Sequence, residues 1–393
     1  MAISQRVQQL RPTAVNSILG EVRALQETGV QLVSLMRGEP DFPTPPHIVD
    51  AAIESLRKGR TAYPNNQGEI ALREAVAATL KSRFDVDYSA QSDILITTGA
   101  TLGVHAALSA LIDEGDEVLL PEPVYDAYFS VIRQVGGVPV PIAARITNGR
   151  FVWASEDVAA ACGKKTTAIL LNSPWNPTGV AFSGNELAQL MDVAARHDLT
   201  VVSDEIYDQF VYPPAQHVSP IEVSDDARSR TVLINSLSKT YAMTGWRLGY
   251  CAGPTDLVQA MYLTLQQSSR GAAMFVQDAG VSALTGDQEC VAQMRSEYAS
   301  RLDTVQAALT DVPKVSVLPP EGGFFAMLDV RQLGRPSNEI RQILLNEHHV
   351  VVMHGAAYGP AAEGTLRIAF ANGGERLTEG LHRLRAGLCK LGS

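Results

Sequence analysis

Along residues 13–28, apolar side chains recur at Val15, Ile18, Leu19, Val22 and Leu25, the spacing of an amphipathic helix. A short apolar run at Leu32–Met36 predicts a strand, and the proline-rich stretch Gly38-Glu39-Pro40-Asp41-Phe42-Pro43-Thr44-Pro45-Pro46 predicts a linker without regular structure. A βα rhythm starts near residue 70. Helical periodicity at Ala71–Leu80 precedes an apolar run at Ile94–Ile96 and a helix through Val104–Ile112. Strand-like runs follow at Val118–Leu120, Val138–Ile142, Ala168–Leu171, Thr200–Val202 and Thr231–Ile234, several separated by helical segments such as Glu186–Arg196. Short β-branched runs alternating with helices predict a mostly parallel sheet covered on both faces. Beyond residue 285 the rhythm changes: a long helix at about 288–310, a strand near Phe324–Leu328, a further helix, and a strand pair near Val350–Met353 and Leu366–Phe370 predict a separate α+β unit.

Composition adjusts this α/β picture only at its edges. With 393 residues, 46% of them hydrophobic, the chain can bury a sizeable core and has room for more than one unit. A net charge of −10 argues against a dedicated nucleic-acid surface. Cys162, Cys251, Cys290 and Cys389 are far apart and form no CxxC pair, which predicts reduced core thiols rather than a disulfide framework or a zinc site. None of the eight histidines has metal-ligand spacing with nearby carboxylates, so no metal is expected. No apolar run reaches membrane-spanning length, and Met1 to Leu10 is polar and unlike a signal peptide. These features predict a cytoplasmic protein without membrane partners.

The chemistry concentrates after the Thr231–Ile234 run, in Asn235-Ser236-Leu237-Ser238-Lys239-Thr240-Tyr241-Ala242-Met243-Thr244-Gly245-Trp246-Arg247-Leu248-Gly249. Ligands of open α/β sheets sit beyond the carboxyl ends of strands, which is where this loop falls. A lysine flanked by Ser236 and Ser238 and followed by Arg247 suits an aldehyde bearing a phosphate: the amine forms an imine, and hydroxyls with a guanidinium hold the dianion. A lone SxSK is more often a surface loop. Gly99-Ala100-Thr101, at the start of a helix, offers free backbone N–H groups to the same phosphate. Thr98-Gly99-Ala100-Thr101-Leu102-Gly103 also imitates a nicotinamide-binding pattern, but His105 replaces its last glycine and no YxxxK follows.

The lysine segment resembles that of the class I aminotransferases, the fold-type I pyridoxal-phosphate enzymes. Other stretches resemble the family's motifs in the family's order: Leu35-Met36-Arg37-Gly38-Glu39-Pro40-Asp41-Phe42, Tyr63-Pro64 with Gly68 and Leu72-Arg73, Asn172-Ser173-Pro174-Trp175-Asn176-Pro177-Thr178-Gly179, Ser203-Asp204-Glu205-Ile206-Tyr207, and Gly364-Thr365-Leu366-Arg367-Ile368. The resemblance implies a seven-stranded, mostly parallel sheet sandwiched by helices in residues 46–285. It implies a smaller α+β domain from both chain ends, with an N-terminal arm in 1–45 and the remainder in 286–393. It further implies a Schiff base between pyridoxal phosphate and Lys239, with Asp204 under the pyridine nitrogen, Asn176 and Tyr207 donating to the ring 3-oxygen, and Tyr125 stacked on the ring. Arg367 is implied as the clamp for the substrate α-carboxylate, with the Gly38 backbone alongside. Tyr63 is implied to reach the phosphate of a partner subunit, so that a homodimer shares its active sites. The implied reaction moves an amino group from an amino acid to a 2-oxo acid in ping-pong fashion.

Two departures bear on the substrate. Thr101 stands where related aspartate-specific enzymes often carry a lysine for the distal carboxylate, while Arg37 and Arg270 are candidates to meet a second carboxylate or a polar tail. His354 stands where proline is usual. A β-lyase or amino-acid oxidase on the same fold shares the first steps and is the alternative. A binding-only descendant would be expected to lose part of the Lys239, Asp204 and Arg367 set, which is intact.

Overall fold

The structure, a computed structural model, describes residues 3–8, 10 and 12–393. Part of Met1–Leu10, read above against a signal peptide, lies outside the described residues. Among the described residues, seven strands form the central sheet: β1 (Ile94–Thr97), β2 (Glu117–Glu122), β3 (Val138–Ala143), β4 (Thr166–Asn172), β5 (Thr200–Asp204), β6 (Thr231–Ser236) and β7 (Gly249–Ala252). Their order is β1-β7-β6-β5-β4-β2-β3, parallel from β6 to β3, with β7 antiparallel to both β6 and β1.

Alternation along β1 explains the sandwich. Ile94 and Ile96 point into one cluster with Ile48, Leu72, Val76, Leu80 and Val276, whereas Leu95 points into another with Val104, Leu108, Val258 and Met261. Helices Pro46–Arg57, Ile70–Phe84 and Met274–Thr285 therefore cover one face, and Ala100–Leu111 with Thr255–Ser268 the other. Pro46, read as the end of the linker, is instead the first residue of a helix, where its fixed φ fits and its missing N–H costs nothing. The helix through Val104 starts at Ala100, within the Gly99-Ala100-Thr101 segment expected to open it.

A four-stranded antiparallel sheet joins Ser316–Leu318, Phe325–Asp329, Thr365–Ala369 and Met353–His354. The run expected as one strand at Val350–Met353 divides. Val350–Val351 pairs in parallel with Val33–Ser34 from the start of the chain, while Met353 pairs with Arg367. Helix Ala14–Glu27 packs Ile18 and Val22 against Met36, Leu345, Val351 and Met353, so both chain ends share one core. No helix among the described residues is long and apolar enough to cross a membrane.

Candidate functional site

Strands β4, β5 and β6 end in Asn172, Asp204 and Ser236 at one edge of the sheet. Because β7 is antiparallel, its first residue, Gly249, pairs with the last residues of both β6 and β1, Ser236 and Thr97. The loops after β1 and β6 are thereby held side by side. A cavity of about 360 Å³ opens over this edge and is closed from the other side by Met36–Glu39, Phe325 and Arg367.

Lys239 sits on the one-turn helix Leu237–Thr240 that follows β6. Its Nζ donates to the Gly38 carbonyl at 2.9 Å and lies 5.8 Å from the Phe324 ring centroid. Burial lowers its pKa to about 8; Glu39 opposes that shift and the charge of Arg247 assists it.

The adjoining wall is built for an anion. Gly99 (φ +85°) precedes helix Ala100–Leu111 without a side-chain cap, leaving first-turn N–H groups open. A Cβ at Gly99 would fall 2.5 Å from Arg247 Nη2, so only glycine admits the guanidinium there. Ser236 Oγ lies 2.8 Å from Ser238 Oγ and accepts the Ser238 amide at 3.1 Å, and Ala100, Thr101, Ser236, Ser238 and Arg247 all line the cavity.

Asp204 is 5% exposed. Burial raises its pKa to about 6, against the pull of bonds from the Tyr128 hydroxyl (2.6 Å) and the Ile206 amide (3.3 Å). Tyr128 escaped the sequence reading, although it stands one helical turn beyond Tyr125 and meets that ring edge-on at 5.4 Å. Asn172 is the second omission, named above only as part of a motif. Its Nδ2 donates to the Asp204 carbonyl at 2.9 Å and its Oδ1 accepts the Asn176 amide at 2.8 Å, tying two site residues together. Next door, fully buried Glu205 accepts from Ser203 and Ser219 and meets His217 Nε2 at 2.8 Å. Tyr207 packs against the edges of Phe324 and Phe325, its phenol pKa raised by burial.

Arg367 enters from strand Thr365–Ala369 and is 4% exposed. Its guanidinium lies between the rings of Phe325 (4.3 Å) and Tyr358 (5.0 Å), donating to the Met36 carbonyl at 2.7 Å and to Asn176 Oδ1 at 3.2 Å. Its buried Nε finds no partner among the described residues. Gly38 was expected beside Arg367. In the structure Arg367 donates to the Met36 carbonyl, two residues before Gly38, and Gly38 packs so closely on Phe325, the ring that Arg367 faces, that a Cβ would strike it.

Arg37 and Thr101 are exposed on the cavity rim, as is Glu39, which accepts from Thr244 at 2.9 Å. Val15 reaches the same rim from helix Ala14–Glu27, whose first amide donates to Asp126 Oδ2 at 2.6 Å. Tyr63 (86% exposed) and the exposed Arg270 do not line the cavity. They belong to touching segments, since a Cβ at Gly271 would lie 3.5 Å from Pro64 Cγ.

Residues 30–384 match the family model for aminotransferase class I and II. The chain is 33% identical to an aspartate aminotransferase of Bacillus subtilis over 98% of both chains. It is 37% identical to an arginine–pyruvate transaminase of Pseudomonas aeruginosa, covering 91% of this chain and 90% of that one. The solved structure of Thermus thermophilus aspartate aminotransferase with maleate superposes with a TM-score of 0.92 at 33% identity, covering 98% of this chain and all of that one.

Proposed function

The chain belongs to the class I and II aminotransferases and moves amino groups between amino acids and 2-oxo acids, and on that premise we propose that it uses pyridoxal phosphate, works as a cytoplasmic homodimer, and carries its chemistry on Lys239, Asp204 and Arg367. The observation that supports this most is the meeting, in one cavity, of a desolvated lysine, a buried carboxylate and a buried arginine with a free Nε. When bound, pyridoxal phosphate supplies an aldehyde that captures amines and a ring that accepts the electrons released at the substrate α-carbon.

Lys239 would hold the aldehyde covalently, and the Ala100 and Thr101 amides, Ser236, Ser238 and Arg247 would hold the phosphate. Asp204 would face the pyridine nitrogen; a carboxylate this buried needs a cationic partner, and the bonds from Tyr128 and Ile206 keep it aimed. Asn176 and Tyr207 would donate to the ring 3-oxygen, and Tyr125 would cover the ring. Arg367 would take the α-carboxylate through its unpaired donors, with both flanking rings fixing the guanidinium plane. That grip would hold the α-C–H toward Lys239, whose freed amine would take the α-proton as a general base and hold it for return.

Arg37 on the rim is the residue for the distal end of the substrate, Thr101 offering no charge there. Tyr63 and Arg270 would serve the partner's site, which their shared exposed surface supports. The division into 46–285 and a second unit from 1–45 and 286–393 rests on the pairing of Val33–Ser34 with Val350–Val351.

The test is a panel of amino acids mixed with holoenzyme, following the cofactor absorbance and oxo-acid release. Turnover with aspartate and glutamate alone is the outcome that supports Arg37 as a distal clamp, and turnover confined to aromatic or aliphatic donors rejects it. Lys239→Ala should lose at least about ten-thousand-fold in rate; an undiminished rate would reject its assignment.

A further inference from the structure

Behind the serines of the anion wall lies a buried polar chain that none of the steps above uses. Asn235, 4% exposed, is the last residue before Ser236. Its Oδ1 accepts the Ser236 amide at 2.7 Å, and its Nδ2 donates to Asp208 Oδ2 at 2.8 Å. The Asp208 side chain is 1% exposed and paired with Arg83, which comes from helix Ile70–Phe84 and lies 4.7 Å from the Phe84 ring centroid. Ser236 in turn receives the Ser238 amide on its Oγ. Bonds thus run without a break from helix Ile70–Phe84 to the two hydroxyls facing the cavity.

The opposite flank is equally constrained. A Cβ at Gly249 would fall 2.8 Å from the Asn235 carbonyl oxygen, 2.9 Å from the Gly99 carbonyl carbon and 3.0 Å from the Ala100 nitrogen. The Asn235 backbone is therefore pressed, through Gly249, against the start of helix Ala100–Leu111. Its position fixes the distance between the two halves of the anion wall.

The chemistry at 235 is narrowly defined. The side chain must accept from an amide on one side and donate to a buried carboxylate on the other. An aspartate there would oppose Asp208, and a leucine would leave both groups unsatisfied. Packing alone asks for neither bond.

We propose that Asn235, anchored by Asp208 and Arg83, is a positioning residue that shapes the Ser236–Ser238 loop for a phosphate monoester. This rests on the pyridoxal-phosphate reading given above. The test compares the cofactor-free full chain with its variants for binding of pyridoxal phosphate and of unphosphorylated pyridoxal, by absorbance titration. Asn235→Ala should weaken pyridoxal phosphate roughly tenfold and pyridoxal by less than about twofold. Equal losses for both ligands, or an unchanged affinity for the ester, would overturn the proposal. If Asn235→Ala does not fold, Asp208→Asn keeps the side-chain shape while weakening the anchor, and it must show the same selective loss. Wild-type protein that binds pyridoxal as tightly as its phosphate ester would overturn the cofactor reading, and this proposal with it.

Discussion

At the scale of single residues, Lys239 and Asp204 are displaced from their ordinary proton affinities in opposite directions by one cause. Desolvation raises a carboxyl and lowers an amine, so both neutral forms are favoured, to about 6 for Asp204 and about 8 for Lys239. Only the neutral amine attacks an aldehyde. A lysine at its usual pKa is almost entirely charged at pH 7, whereas one near 8 is about a tenth neutral. The rate at which cofactor-free protein captures pyridoxal phosphate should therefore climb nearly tenfold per pH unit below about pH 8 and level off above it. Stopped-flow absorbance across pH 6 to 10 checks this, and a rate still climbing at pH 10 would contradict it. The motif carrying this lysine was legible in the sequence. The partner that keeps the carboxylate aimed was not, because Tyr128 reads as one more packed aromatic until the helix Ala127–Gln134 is seen to point it at Asp204.

Among the elements, β7 is the one the sequence pattern concealed and the site most depends on. Gly-Tyr-Cys-Ala is too short to show alternation, and its opening glycine reads as loop, yet all four residues are buried between β1 and β6. Its presence makes the end of the sheet antiparallel and brings Gly99 and Ser236 together. Helix Met274–Thr285 was hidden for a related reason: it packs against both Pro46–Arg57 and Ile70–Phe84, so apolar residues surround it and no single stripe stands out. By contrast, Thr200–Asp204 and Thr231–Ser236 announced themselves as β-branched runs because parallel strands are buried on both faces. Gly249→Ala tests the dependence on β7. The added methyl meets backbone atoms of β6 and of the start of helix Ala100–Leu111, which cannot yield as a side chain would, so a loss of about 1–3 kcal/mol in stability is expected together with weakened cofactor binding. Denaturant unfolding of the cofactor-free variant measures the first and absorbance titration the second; unchanged values for both would contradict the packing argument.

For the whole molecule, the roles proposed for Tyr63 and Arg270 require a second copy. Tyr63 is 86% exposed, an unusual fate for a large ring with no contact to its own cavity. Sedimentation equilibrium at micromolar concentration should give twice the 42.2 kDa chain mass, and a single-chain mass would reject shared sites. The position of Arg367 has a different reach. Its bond to the Met36 carbonyl spans 331 residues, and the site closes only when strand Thr365–Ala369 meets the segment that follows Val33–Ser34. A ribosome making this chain has therefore passed residue 367 before the proposed carboxylate clamp can form. A nascent polypeptide that ends before Arg367 lacks the group proposed to orient an amino acid for proton transfer. On this reading catalysis waits until strand Thr365–Ala369 has been made and has docked.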